Sequence, residues 1–215
     1  KRMVEEKRVL DVTMRMHRTD FRADWYGMGS FTDEESGAQQ GQEVDFLRLI
    51  NEMAADAERN ALAIRLAVEE ARAGEQVLMF THLRAHAEML CAILGGEFSV
   101  PSALLLGGDA QSMNDSLTAM RNGRIRVGVG TYQAIGTGID LPSVSRGVMV
   151  TPCTSNRTIF SQSRGRICRT AQGKKDAIMH VLWDWHVLPK QYDNVLAWNG
   201  HADTLQGETW SRAKK

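Results

Sequence analysis

Val77-Leu78-Met79-Phe80 is an unbroken apolar run between Glu75-Gln76 and Thr81-His82. A run this short, with no polar alternation, is the pattern of a strand buried on both faces. Downstream the same kind of segment recurs at Ala103–Leu106, closed by Gly107-Gly108, at Ile125–Gly130, at Gly147–Val150 and at Ala177–Trp183. Between them lie helical patterns at Leu83–Leu94, Ser112–Asn122 and Arg157–Arg169. Strands that alternate with helices of about a dozen residues predict an α/β fold with a mostly parallel sheet covered on both faces. Ligands of such sheets sit at the carboxyl ends of the strands, so the loops after Phe80, Leu106, Gly130 and Val150 are where chemistry is expected. Upstream, Leu47, Ile50, Met53, Ala57, Ala61, Ile64 and Val68 recur at helical spacing, which predicts one or two helices over 44–73 with Gly74 as the stop. Asp24–Gln42 reads as a loop, and Arg8–Met16 as a strand. The tail from Leu188, with Trp198 and Trp210, carries no clear pattern. The expectation is one domain: an N-terminal strand and loop (1–43), a leading helix (44–74), a core (75–187) and a tail (188–215).

The chain has 215 residues, 43% hydrophobic and 24% charged, with a net charge of zero. No global field draws it to nucleic acid or to an anionic surface. The charge is nevertheless segregated. From Leu141 to Lys175 there is no acid, against Arg146, Arg157, Arg164, Arg166, Arg169, Lys174 and Lys175. From Asp33 to Glu58 the balance reverses, with Arg48 the sole cation. A neutral chain with one basic segment has a place for phosphates without adhering everywhere. Cys91, Cys153 and Cys168 are far apart and show no metal-ligand spacing, so no metal site is assigned and a reducing, cytoplasmic setting is expected. No apolar run reaches membrane-spanning length, and no membrane partner is expected.

The basic segment centres on Gln162-Ser163-Arg164-Gly165-Arg166-Ile167-Cys168-Arg169. On a helix, Gln162, Arg166 and Arg169 share one face at i, i+4 and i+7. A guanidinium holds a permanent charge and a rigid fork of donors suited to phosphoryl oxygens. The plain alternative for such a run is a solvated basic helix. Thr131-Tyr132-Gln133-Ala134-Ile135-Gly136-Thr137-Gly138-Ile139-Asp140-Leu141-Pro142 follows a strand. Its glycines could turn backbone N–H groups toward phosphates, and Asp140 could accept from a ribose hydroxyl or orient an arginine. Read plainly, it is a strand-to-loop connection. His82 reads as a surface or capping residue. Gly107-Gly108-Asp109 reads as a turn, with Asp109 or Ser112 capping the next helix.

Taken in order, Phe80-Thr81, Gly107-Gly108, Thr131…Gly138-Ile139-Asp140 and Gln162-x-x-Gly165-Arg166-x-x-Arg169 resemble the second RecA-like domain of superfamily 2 helicases and translocases, in particular those of phages and large DNA viruses. The resemblance covers roughly residues 75 to 185, and Asp56–Asn60 is similar to the helix that leads into that domain. It implies a RecA-like three-layer α/β/α fold. It implies that Arg166 and Arg169 meet the terminal phosphate of ATP, with Arg169 the arginine finger and Gln162 sensing the same phosphate. Gly138 and Asp140 would reach the nucleotide's sugar or the interface arginines. Thr81, Gly107, Gly108 and Thr131 would hold the phosphate backbone of one nucleic-acid strand, DNA rather than RNA. Thr137 departs from the viral pattern, which often has an acid there. The spacing from Thr131 to Asp140 is one residue longer than in DEAD-box proteins.

No Gly-x-x-x-x-Gly-Lys-Ser/Thr loop and no Asp-Glu metal motif occur. The family keeps both on its first RecA-like lobe. The chain, which starts at Lys1, is therefore expected to be the C-terminal half of a two-lobed motor. The full-length enzyme would use ATP with Mg²⁺ and an N-terminal RecA-like lobe. This half alone would bind no cofactor and hydrolyse nothing. The alternatives are a duplex translocase that separates no strands and a solitary, non-catalytic module that binds nucleic acid or a partner. A kinase-like nucleotide domain fits poorly without a phosphate loop.

Overall fold

The computed structural model describes residues 9–26, 38–136, 139–153 and 156–199, and for 38–45 the backbone alone. Six strands form one sheet: β1 (Val12–Arg18), β2 (Val77–Thr81), β3 (Ser102–Leu105), β4 (Val127–Thr131), β5 (Arg146–Met149) and β6 (Ala177–Trp183). Their order across the sheet is β1-β6-β5-β2-β4-β3, and every pairing is parallel. The helices are α1 (Ala38–Ala55), α2 (Ala57–Arg72), α3 (Arg84–Gly96), α4 (Ala110–Arg121), α5 (Tyr132–Gly136), α6 (Arg157–Ile167) and α7 (Gln191–Asn199).

Strand periodicity sorts the core into two layers. Val77 and Met79 of β2 point to a layer closed by α2 and α3 through Ala63, Ala67, Leu90 and Leu94. Leu78 and Phe80 point to the opposite layer, with Leu117 and Met120 of α4, Tyr132 and Ile135 of α5, Phe160 and Ile167 of α6, and Val195 of α7. The result is the RecA-like α/β/α sandwich. Gly128 allows the second layer to close, since a Cβ there would lie 2.7 Å from Leu105 Cδ1, 2.9 Å from Met120 Sδ and 3.0 Å from Leu78 Cδ2. A third, smaller cluster joins Leu49, Ile50 and Met53 of α1 to Phe21 and Ala23, with Trp25 and Phe46 at its edge.

Local chemistry explains the boundaries. The helical stretch before Gly74 is two helices because Asp56 interrupts it, its side chain accepting from the Arg59 N–H at 2.8 Å as the cap of α2. Gly74, at φ 96°, ends α2 as expected. Asp109, not Ser112, caps α4 by accepting from the N–H groups of Gln111 and Ser112.

Three expectations are corrected. Residues 38–42 are helical rather than loop. Tyr132–Gly136 forms a short helix where a loop following the strand was expected. The tail contains α7, whose Val195 reaches the core. Residues 1–8, 27–37 and 200–215 lie outside the described residues. Among the described residues no helix is long and apolar enough to cross a membrane.

Candidate phosphate and nucleic-acid sites

Because α6 follows β5 and returns antiparallel to it, it starts at the carboxyl rim and descends about 16 Å along the flank. Asn156 caps its upper end by accepting from the Ile159 N–H at 3.0 Å. Phe160, Ser163 and Ile167 face the sheet, which turns Gln162 outward and leaves Arg166 half-exposed. Arg166 and Arg169 sit beside Gly136, Ile139 and Asp140.

On that flank the expected residues do come together. Arg166 Nη1 donates to the Ile139 carbonyl at 2.6 Å, and Nη2 donates to the Gly136 carbonyl. Arg169 Nη1 donates to Asp140 Oδ1. Gln162 Oε1 lies 3.2 Å from where a Cβ on Gly136 would stand, so the absence of a side chain there seats the glutamine. Arg121 of α4 donates to the Asp140 carbonyl at 3.2 Å. Burial lowers the Arg166 pKa, the nearby Arg169 charge lowers it further, and Asp140 opposes both. Gly138 lies outside the described residues.

The shared-face reading needs one correction. α6 ends at Ile167, where the Cys168 N–H closes the last turn on the Arg164 carbonyl. Cys168 then accepts from the Leu10 N–H at 2.6 Å, and Arg169 bridges to Val9. Arg169 is thus held by the strand entry, not by the helix. Its side chain remains 41% exposed and that of Asp140 63%, so this pair is open to a ligand while Arg166 is committed to carbonyls.

At the rim, Gly107 and Gly108 are exposed after β3, and Gly108, at φ 115°, requires the freedom of glycine. Thr131 is half-exposed and accepts from the Ala134 N–H at 3.2 Å, so it caps α5. Thr81 departs from expectation. It is fully buried because β2 extends one residue past the apolar run, and its hydroxyl bonds His86 Nδ1 at 2.9 Å. His86 Nε2 in turn meets Asn60 Oδ1 at 2.8 Å. Thr81 has no surface to offer a phosphate. His82 is half-buried rather than a plain surface residue. Its ring lies against Phe46 and Tyr132, its N–H donates to Thr151 Oγ1 at 3.0 Å, and burial pushes its pKa down to about 4.

The basic segment is narrower than its composition suggests. Arg146 is buried and paired with Glu70 at 2.8 Å and Asp176 at 2.7 Å. A larger feature was invisible in sequence. Arg59 and Asp184, 125 residues apart, form a buried two-pronged ion pair at 2.7 and 3.0 Å, and Arg59 also donates to the carbonyls of Val150 and Met53. Among the described residues no cluster of three or more His, Cys, Asp or Glu is placed to hold a metal.

Comparison with known proteins agrees with this architecture. Residues 58–171, more than half of the chain, match the helicase conserved C-terminal domain, and the chain belongs to that family. The SWI2/SNF2 ATPase core domain of Sulfolobus solfataricus superposes with a TM-score of 0.68 at 17% identity, over 87% of this chain and 43% of that one. Saccharomyces cerevisiae Dbp5 bound to RNA and ADP BeF3 gives 0.56 at 18% identity, over 71% of this chain and 38% of that one. The C-terminal domain of the DEAD-box protein Dbp5 gives 0.57 at 19% identity, over 70% and 83%. These identities speak for the shared fold. The chain spans about two fifths of the length of the first two of these structures. No curated protein matches it in sequence.

Proposed function

We propose that this domain is the C-terminal lobe of an ATP-dependent nucleic-acid motor, a helicase acting on DNA. Its part is to supply arginines to ATP held by an N-terminal lobe. The approach of Gln162, Arg166 and Arg169 to Gly136, Ile139 and Asp140 carries this reading. Arg169 is the finger, because its partner is an exposed carboxylate that a phosphoryl group can replace. Arg166 shapes the wall, because two backbone carbonyls already hold it. The ATP would bring Mg²⁺, bound by the other lobe. On the rim, Thr131, Gly107 and Gly108 take one strand by its phosphates, which calls for little sequence preference and strong salt dependence. The fit of Thr81 to that grip is indirect: through His86 it holds the start of α3 against α2.

The test is Arg169→Ala in the protein carrying both lobes. A donor that acts on the transition state leaves ATP binding in place and removes turnover, by at least about a hundredfold. Turnover close to that of the unaltered protein would refute the assignment.

A further inference from the structure

One cation in the basic segment points neither to solvent nor to the cluster of arginines. Lys174 follows a tight turn closed by its own N–H on the Ala171 carbonyl at 3.2 Å, with Gly173 at φ 82° in the third position. The turn folds the half-buried side chain back beneath the end of α6. There Nζ donates to the carbonyls of Ile167 at 2.5 Å and Arg169 at 2.7 Å. The same nitrogen donates to Val144 at 2.5 Å and approaches Pro142 at 3.4 Å.

These four carbonyls fall into two pairs with one meaning. Ile167 and Arg169 belong to the chain that presents the Arg169 guanidinium. Pro142 and Val144 belong to the chain that presents Asp140. An ammonium is a compact charge with three donors, and it suits a cup of carbonyls that a planar guanidinium cannot enter in the same way. It also answers the orphaned carbonyls and the negative pole at the end of α6. We infer that Lys174 is a positioning residue for the arginine finger, fixing the backbone on both sides of the Arg169–Asp140 pair while touching neither side chain. The inference rests on the proposed role of Arg169.

Displacement of a reacting group by about 1 Å costs on the order of a hundredfold in rate. In the two-lobed protein, Lys174→Met keeps the length of the side chain and removes its donors. It is expected to lower kcat by roughly tenfold to a hundredfold while the KM for ATP stays within about threefold, since the nucleotide is held by the other lobe. Lys174→Arg keeps the charge at the helix end, and so the fold, but seats its fork poorly. It is expected to lower kcat by at least about threefold with the same unchanged KM. Arg169→Ala is measured alongside. If Arg169→Ala abolishes turnover and both Lys174 variants stay within twofold of the unaltered protein, the positioning role is wrong. If Arg169→Ala itself is active, the reading of the site falls first. Should Lys174→Met fail to fold, Lys174→Arg decides.

Discussion

Replacing Arg59 by methionine would remove four hydrogen bonds at once: two to Asp184 and one each to the carbonyls of Val150 and Met53. Both partners of the ion pair are sealed from water, at 1% and 0% side-chain exposure. Their mutual attraction offsets a large desolvation cost, so the pair as a whole adds little net stability. Removing one partner is different, because it strands a buried charge. Asp184 would keep the Thr19 hydroxyl, which donates to it at 2.6 Å, but that single neutral donor cannot replace a guanidinium. The expected loss is about 3–5 kcal/mol. For a chain of this size that lowers the melting temperature by about 6–20 °C. Urea unfolding followed by circular dichroism measures it directly. The double variant Arg59→Met/Asp184→Leu removes the stranded charge as well, and it should recover most of the loss. A single variant within about 1 kcal/mol of the unaltered chain, or a double variant worse than the sum of the singles, would refute the reasoning.

Other expectations follow from burial. His17, His82 and His86 are each held neutral by burial, with pKa values near 4 against the ordinary 6.5. Lowered folded values mean that the unfolded chain binds more protons between pH 6.5 and 4, so stability is full above 6.5 and falls as the pH drops toward 4. Unfolding free energies across that window should show this slope, and His86→Gln should flatten it. Gly128→Leu adds a side chain where three others already converge, and unfolding should show a loss of about 1–3 kcal/mol or more. Tyr132→Phe removes the donor that reaches the Thr151 carbonyl at 2.5 Å in a buried site. It should cost about 1–3 kcal/mol in the same assay.

The sheet was readable because parallel strands buried on both faces announce themselves without help from distant residues. Val77–Phe80 and Ala177–Trp183 each lie within or match a strand of the structure. The resemblance of Gln162–Arg169 to a helicase motif likewise marked residues that the fold does bring near Asp140. What escaped notice depended on tertiary context. Thr81 reads as a loop residue until β4 extends the ladder to Thr131 opposite it. Tyr132–Gly136 is too short to show helical periodicity, and Thr131 must cap it first. Arg59 and Asp184 are separated by most of the domain, so neither residue signals its partner. Arg146 and Lys174 look like phosphate-binding charge in the sequence, yet the fold ties one to Glu70 and Asp176 and the other to carbonyls.

The bridge between Val9 and Arg169 ties the chain entering the domain to the backbone of that arginine. Force applied to the chain ahead of Val9 would therefore reach the backbone of Arg169 before it reached the sheet, because the Val9 bridge and the Leu10 N–H bond to Cys168 come before β1 begins.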